Sequence, residues 1–156
     1  ATAPDLVAAA RALVKAELDH FLSRSVGLSM ECVVAPGQRY QVVGHQARLD
    51  QLLSTLMHVA LRRAPQGSTI HLRVLATDDG GWIQLDLNES VASLREDEVD
   101  IFDHLLSSEA LLHKAVLALY FCKITVERWG GEIGYRLDGD RGCWWLRLRR
   151  VRSAEV

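Results

Sequence analysis

The sequence has few prolines, no long apolar run and little net charge. It therefore lacks the features typical of a proline-rich linker, a membrane-spanning segment or a nucleic-acid-binding protein. Only three of its 156 residues are proline, so no proline-rich segment divides the chain. No apolar run approaches the roughly 18 residues that a bilayer crossing needs. A net charge of −2 and a pI near 6.3 lead us to expect no nucleic-acid partner. What is present, 49% hydrophobic and 24% charged residues, is typical of a globular domain with a core.

The cysteines are also few, and they do not form a disulfide or metal-binding pattern. Cys32, Cys122 and Cys143 are odd in number, widely spaced and set among apolar residues. This favours reduced thiols in the core of a cytoplasmic protein. The first residues lack an initiator Met and the charged-then-apolar order of a signal peptide. We therefore interpret residues 1–156 as one domain of a longer protein, with no membrane-inserting segment of its own.

Hydrophobic periodicity predicts three helices, each followed by a pair of strands. Helical spacing of apolar residues is found over residues 6–25, 45–63 and 107–129, and Gly27 and Gly130 are read as end signals. The acidic segment 95–106 is predicted to be a loop with a short helix. Six β-rich segments are predicted as strands: residues 28–34, 39–43, 68–77, 81–88, 132–137 and 143–151. The order predicts an α/β fold, a two-layer α/β sandwich with three main helices on one face of a mixed sheet of about five to six strands.

Three stretches resemble the catalytic, ATP-binding domain of bacterial sensor histidine kinases. The family's asparagine-box helix and following strand correspond to "ARLDQLLSTLMHVALRRAPQGSTIHLRV". Its phenylalanine box is similar to "DEVDIFDHLL", and its last helix, Gly-Gly turn and final hairpin are similar to "LYFCKITVERWGGEIGYRLDGDRGCWWLRL". The resemblance spans the whole chain. It implies the Bergerat-like fold of the GHKL or HATPase domains, with ATP and Mg²⁺ as cofactors.

The resemblance implies that asparagines of the second helix hold Mg²⁺, and this sequence lacks them. Thr55 and Val59 stand at the two asparagine positions. A hard cation requires oxygen ligands at about 2.1 Å, and the isopropyl group of Val59 offers none. Arg62 stands where the family often has a basic residue near the phosphates, although a cation is favoured at a helix C-terminus in any case.

The adenine-binding loop implied by the resemblance is altered as well. The family's "DxGxGI" motif supplies an aspartate that accepts a hydrogen bond from adenine, and glycines that let the backbone approach the base. The corresponding "ESVASL" has Glu89, Val91 and Ser93 at these positions. Glu89 keeps a carboxylate, whereas the β-branched Val91 replaces bare backbone. We expect the adenine pocket to be narrowed or filled.

The third motif, "GxGLGL", ends the ATP lid of the family and begins a helix whose free N–H groups face the phosphates. Lys114, Val116 and Ala118 replace its three glycines in "KAVLAL". All residues of "EALLHKAVLALYFCK" favour or tolerate a helix. We therefore expect the last helix to continue upstream through the lid position.

Because three motifs are altered together, we expect a degenerate domain of a two-component signalling protein, a pseudokinase that neither binds nor turns over ATP. It would need no ATP or Mg²⁺ and would act through contacts with a response regulator or another signalling protein, with homodimers possible through the parent protein. Two alternatives stay open. One is an active histidine kinase domain that uses Glu89 for adenine and Lys114 or Arg62 for phosphate, and the other is a pocket repurposed for another small ligand.

The histidines and the C-terminal arginines carry weaker signals. His20 lies on a single predicted helix without the acid and proline that follow a phosphoacceptor, and His71 and His104 are expected to be structural. Six arginines crowd the end of the chain, and we interpret them as a solvated strand face, with a docking patch for an acidic partner as the alternative. They are Arg136, Arg141, Arg147, Arg149, Arg150 and Arg152.

Overall fold

The computed structural model describes residues 3–33, 35, 38–77, 79–90 and 114–151, which form three helices and five strands. The helices are α1 (Leu6–Ser23), α2 (Gln46–Arg63) and α3 (Lys114–Arg128). The strands are β1 (Gly27–Val33), β2 (Thr69–Ala76), β3 (Trp82–Ser90), β4 (Glu132–Asp138) and β5 (Arg141–Arg149). Within these ranges, none of the helices combines the length and the apolar character that a bilayer crossing requires. The acidic segment 95–106 and the predicted helical residues 107–113 lie outside the described residues.

The five strands form one mixed sheet in the order β1-β2-β3-β5-β4. β1 and β2 are parallel, and α2 provides the crossover between them. The β2–β3, β3–β5 and β4–β5 pairs are antiparallel, and β4 and β5 are joined by a tight turn. The predicted two-layer α/β sandwich is therefore confirmed, with five strands in the part of the chain that the structure describes.

One face of the sheet carries the hydrophobic core, because alternate residues of a strand point to the same side. The central strands bury Ile70, Leu72, Val74, Ile83, Leu85, Leu87, Trp144, Leu146 and Leu148. The helices cover this face, with α2 in contact with both α1 and α3. The apolar residues that recur at helical spacing on α2 are buried: Leu49, Leu52, Leu53, Leu56, Met57 and Ala60. The core thus fixes α2 across the middle of the sheet.

The end of α1 is set by Ser25, and the prediction that Gly27 ends this helix is wrong. Ser25 takes a left-handed conformation with φ of 55°, so the chain leaves the helix two residues earlier than predicted. Gly27 is the first residue of β1, where an added Cβ would lie 2.7 Å from Oγ1 of Thr69. The glycine therefore belongs to the strand pair, where it avoids a close contact with the Thr69 side chain, and not to the helix end.

The strand predicted at residues 39–43 is also wrong. This segment forms only isolated bridges. The N–H of Val42 donates to the carbonyl of Pro4 at 2.9 Å, and the N–H of Val43 donates to the carbonyl of Arg149 at 2.8 Å. Because successive backbone groups bind two different parts of the chain, no continuous ladder forms. Its sequence looks like that of a strand because it contains apolar side chains that are buried in the core. The segment pairs with other parts of the chain only through isolated bridges.

The C-terminal part of the fold follows the prediction closely. Gly130 has φ of 74°, which is the predicted left-handed cap of α3. Gly131 is required for another reason, because a Cβ there would lie 2.6 Å from the carbonyl oxygen of Arg147. Gly139, with φ of 63°, makes the turn of the final hairpin.

Candidate functional site

A groove of about 390 Å³ lies between α2 and α3. Its lining consists of Arg48, Gln51, Leu52 and Thr55 from α2, and of Ala118, Phe121, Cys122 and Thr125 from α3. Two of the predicted site positions, Thr55 and Ala118, therefore lie in the same groove. One wall is largely polar and the other is largely apolar, and Phe121 is 63% exposed.

The magnesium-type positions on α2 do not fit a magnesium ion. Val59 belongs to the hydrophobic core and is only 8% exposed. Thr55 donates its hydroxyl hydrogen to the carbonyl of Gln51 at 2.9 Å. Mg²⁺ requires a near-octahedral set of oxygen ligands. Thr55 and Val59 offer one hydroxyl oxygen, which already donates its hydrogen within the helix, and one buried isopropyl group. They do not supply the oxygen ligands that Mg²⁺ requires.

Glu89 lies at the end of β3, and groups of the protein itself bind its carboxylate. Its side chain has no exposed area, and Arg63 Nη1 lies 3.8 Å from Glu89 Oε1. The hydroxyl of Tyr135 donates a hydrogen bond to the same oxygen at 3.1 Å. The acid at the adenine-type position is therefore held by partners from α2 and β4.

Arg63, which was not predicted, is the arginine that reaches the site, and the predicted Arg62 is not. Arg62 is exposed. Arg63 follows Val59 by four residues, so both lie on the same face of α2. The helical period was the signal that could have identified it. The guanidinium of Arg63 also lies 5.6 Å from the ring centre of Tyr135 and 5.7 Å from that of Trp144, within the range of cation–π attraction.

The two aromatic rings form the floor of this cluster. Tyr135 and Trp144 pack with their ring centres 4.6 Å apart and an angle of 51° between their planes, and Trp144 is 1% exposed. Gly142 is paired with Glu89 across β3 and β5. An added Cβ at Gly142 would collide with the hydroxyl of Tyr135, so the missing side chain leaves room for the tyrosine to reach Glu89. We call Arg63, Glu89, Tyr135 and Trp144 the Glu89 cluster.

The electrostatics of the cluster raise the pKa of the acid above its ordinary value. Burial raises the pKa of Glu89, while the charge of Arg63 and hydrogen bonds from Tyr135 and Trp144 partly oppose that rise. Burial, followed by the charge of Glu89, raises the pKa of Tyr135. Tyr135 therefore stays a hydrogen-bond donor throughout the range in which Glu89 titrates.

We expect Glu89 to make the protein less stable as the pH rises. Its pKa in the folded chain lies above the ordinary value of 4.5, so the folded state keeps a proton that the unfolded chain has already lost. The stability contributed by that proton is complete below 4.5 and is lost as the pH rises through the folded pKa. Urea unfolding from about pH 4 to about pH 8 measures this decline. The variant Glu89→Gln should remove it, and an unchanged pH profile in that variant would contradict the assignment.

The remaining predicted positions are only partly described. Val91 and Ser93 lie outside the described residues. Lys114 and Val116 are in the first turn of α3, where the backbone is helical. The predicted extension of that helix upstream of Lys114 is outside the described residues as well, so it stays a prediction.

The cysteines are free thiols, and two of the C-terminal arginines contact side chains of their own sheet. Burial raises the pKa of Cys122 to about 12, and all three cysteines are free thiols, as predicted. Arg147 donates to Gln84 Oε1 at 2.9 Å, and the guanidinium of Arg149 stacks 4.6 Å from the ring centre of Trp82. These arginines bind the open face of their own sheet, which agrees with a solvated strand face.

Comparison with known structures identifies the fold. The catalytic domain of histidine kinase ThkA matches with a TM-score of 0.77 and 13% identity, over 96% of this chain and 95% of that one. The histidine kinase AdeS of Acinetobacter baumannii matches with a TM-score of 0.70 and 15% identity, over 95% of this chain and 66% of that one. ThkA in complex with the response regulator protein TrrA matches with a TM-score of 0.74 and 13% identity, over 96% of this chain and 42% of that one. No family model and no curated protein matches the sequence.

This chain therefore has the fold of histidine kinase catalytic domains, the HATPase or GHKL fold that the sequence resemblance implied. Identities of 13% to 15% establish the fold alone. This chain shares the fold of these domains, but its chemistry depends on its own residues.

Proposed function

We propose that this chain is a degenerate histidine-kinase-type ATP-binding domain of a two-component signalling protein, which has lost Mg-ATP binding and acts through protein contacts. The observation that carries the proposal is the enclosure of Glu89 by Arg63 and Tyr135. Both contacts are made to Oε1 of a carboxylate that is only 3% exposed, so adenine could reach the acid only if the cluster opened. Separating a buried charge from its partner costs several kcal/mol, which a nucleotide would have to supply.

The magnesium-type positions support the same proposal. Val59 is a buried core residue, and an asparagine amide at that place would have supplied an oxygen ligand. A metal ion stabilises the charge that develops in phosphoryl transfer by several kcal/mol. Without the metal and with the acid engaged elsewhere, we expect no turnover of ATP.

The proposed partner is a response regulator or another signalling protein. The structural neighbour ThkA has been observed in complex with the response regulator protein TrrA, which makes this class of partner the first to test. We further propose that residues 1–156 are a single domain of a longer cytoplasmic protein. If that protein forms a homodimer, we propose that the contacts lie in its other domains.

A second candidate function is the binding of another small ligand in the α2–α3 groove. Its volume of about 390 Å³ is within the roughly 300–1,000 Å³ that is usual for ligand sites. Arg48, Gln51 and Thr55 offer polar groups on one wall, and Ala118 and Phe121 offer apolar surface on the other. The active-kinase alternative would require the buried Glu89 cluster to open to a nucleotide.

Thermal unfolding in the presence of Mg-ATP and Mg-ADP tests the proposal. A ligand at 100 times its Kd stabilises a protein by about 2.7 kcal/mol, which raises the Tm of a domain of this size by several degrees. We expect no rise for this chain, whereas the structural neighbour ShkA, which has been observed in complex with AMPPNP, serves as the positive control. A rise with Mg-ATP would overturn the proposal in favour of an active site.

A variant that fills the α2–α3 groove tests whether the groove binds another small ligand. A rise in Tm with a non-nucleotide metabolite that disappears in Ala118→Trp would support a repurposed groove. The variant Val59→Asn tests whether Mg-ATP binding can be restored, because it returns an amide oxygen to the magnesium-type position. We expect Val59→Asn alone to leave Mg-ATP without effect, since the Glu89 cluster stays closed.

A further inference from the structure

Glu17, His20 and His58 form a cluster where α1 packs against α2. Glu17 and His20 are three residues apart on α1 and share one helix face, while His58 comes from α2. His58 Nε2 lies 3.0 Å from Glu17 Oε1, and His20 Nδ1 lies 3.4 Å from Glu17 Oε2. The side chain of Glu17 is 14% exposed and both imidazoles are about half exposed.

The distances in this cluster are close to those of a metal centre. The three ligand atoms all lie within 4.8 Å of one another. Tetrahedral zinc with nitrogen and oxygen ligands at about 2.0–2.2 Å holds neighbouring ligand atoms roughly 3.3–3.5 Å apart. The two nitrogen–oxygen separations are already near that value. The imidazoles meet edge to face at 5.8 Å between ring centres, so small rotations of two surface side chains would bring their nitrogens together.

The chemistry of the donors selects the kind of ion. Two imidazole nitrogens and one carboxylate suit zinc and the late first-row transition metals, whereas Mg²⁺ prefers oxygen ligands throughout. Without an ion, a carboxylate can only accept hydrogen bonds, so each imidazole must turn an N–H toward Glu17. A divalent cation would bind the same two nitrogens once each neutral imidazole carries its proton on the other ring nitrogen, and it would neutralise a carboxylate that is only 14% exposed.

We propose that Glu17, His20 and His58 bind one divalent transition-metal ion, for which Zn²⁺ is the best match, with a fourth position open to water. The ion would join α1 to α2 through residues that are 41 positions apart in the sequence. This inference does not rest on the proposed function, because α1 takes no part in the α2–α3 groove.

Titration of the metal-stripped 156-residue chain with Zn²⁺ alone tests the inference. We expect calorimetry to give one ion per chain, a rise in Tm with added Zn²⁺, and visible absorption typical of four-coordinate cobalt when Co²⁺ is used instead. Losing an outer partner of a metal ligand costs 10- to 100-fold in affinity, so losing a ligand should cost at least about 100-fold. We therefore expect His58→Ala, His20→Ala and Glu17→Gln each to abolish the tight site and the cobalt spectrum.

His71→Ala is the matched control. His71 is also a partly exposed histidine beside a carboxylate, with Nε2 3.6 Å from Glu31 Oε2, but no third donor joins that pair among the described residues. A Cys32→Ser background removes the one cysteine that is not buried. We expect Zn²⁺ binding to be unchanged in both. Absence of stoichiometric binding, equal loss in His71→Ala, or full binding by His58→Ala and Glu17→Gln would overturn the proposal.

Discussion

Replacing Arg63 with Met is expected to lower the free energy of unfolding by about 3 kcal/mol at neutral pH. Met keeps most of the aliphatic volume and removes the charge that lies 3.8 Å from the buried carboxylate of Glu89. Removing one partner of a buried pair leaves the other charge without compensation, which typically costs about 3–5 kcal/mol. We place the value at the lower end because the Arg63 side chain is 23% exposed. Urea unfolding at several pH values measures it.

The neighbouring arginine provides the control for this prediction. Arg62→Met changes the same residue type on the exposed side of α2 and should alter stability by less than about 0.5 kcal/mol. The cost of Arg63→Met should shrink toward acid pH, because a protonated Glu89 no longer needs a counter-charge. The double variant Arg63→Met with Glu89→Gln should recover part of the loss. A cost that is equal for the two arginines, or independent of pH, would refute the role assigned to Arg63.

Replacing Trp144 with Ala is expected to cost about 3–5 kcal/mol, the usual range for truncating a buried aromatic side chain. The ring is 1% exposed and packs against Tyr135 at 4.6 Å between ring centres. It also supports the guanidinium of Arg63. Its loss therefore opens a cavity under the Glu89 cluster and loosens the two groups that hold the carboxylate. Chemical denaturation followed by circular dichroism measures the loss.

The next residue in the strand gives the comparison for Trp144. Trp145 points to the opposite, open face of the sheet and is only partly buried. Trp145→Ala should therefore cost roughly 1 kcal/mol, as is common for positions outside the core. Equal costs for the two tryptophans would mean that the core does not lie on the helix-covered face at this point of β5.

Together these predictions describe a site that the protein fills with its own side chains. In a ligand-binding cavity, a buried acid would be left for the ligand to satisfy. Here an arginine, a phenol and an indole lie against the acid instead, and they offset part of the cost of burying it. The proposed loss of nucleotide binding therefore comes with a gain of internal contacts, and the two should be separable by the variants above.

Much of the fold was predictable because its signals are local. The apolar stripe of α2 and the Gly130 cap can be read from a few consecutive residues. The segment at residues 39–43 could not be predicted correctly, because its buried apolar side chains look like those of a strand. Whether such a segment forms a ladder depends on partners that are far away in the sequence. Gly27 was misinterpreted for the same reason, since its constraint comes from Thr69 on the neighbouring strand.

The site was predicted less completely than the fold. The sequence identified Glu89 and Val59 as altered positions, and the structure places Thr55 and Ala118 in a common groove. The sequence did not identify Arg63, Tyr135 or Trp144. These residues lie on three different elements and meet only in the folded chain.

The sequence by itself determined which chemical groups this protein possesses and which it lacks: a valine where an amide would hold magnesium, a glutamate near an adenine-type loop, and the periodicities of a two-layer α/β sandwich. Only the tertiary structure decided what those groups do, because burial and pairing depend on distant residues. It turned Glu89 from a potential ligand contact into the centre of an internal cluster. It also brought Glu17 and His20 to His58, since the packing of α1 against α2 sets distances that no local pattern contains.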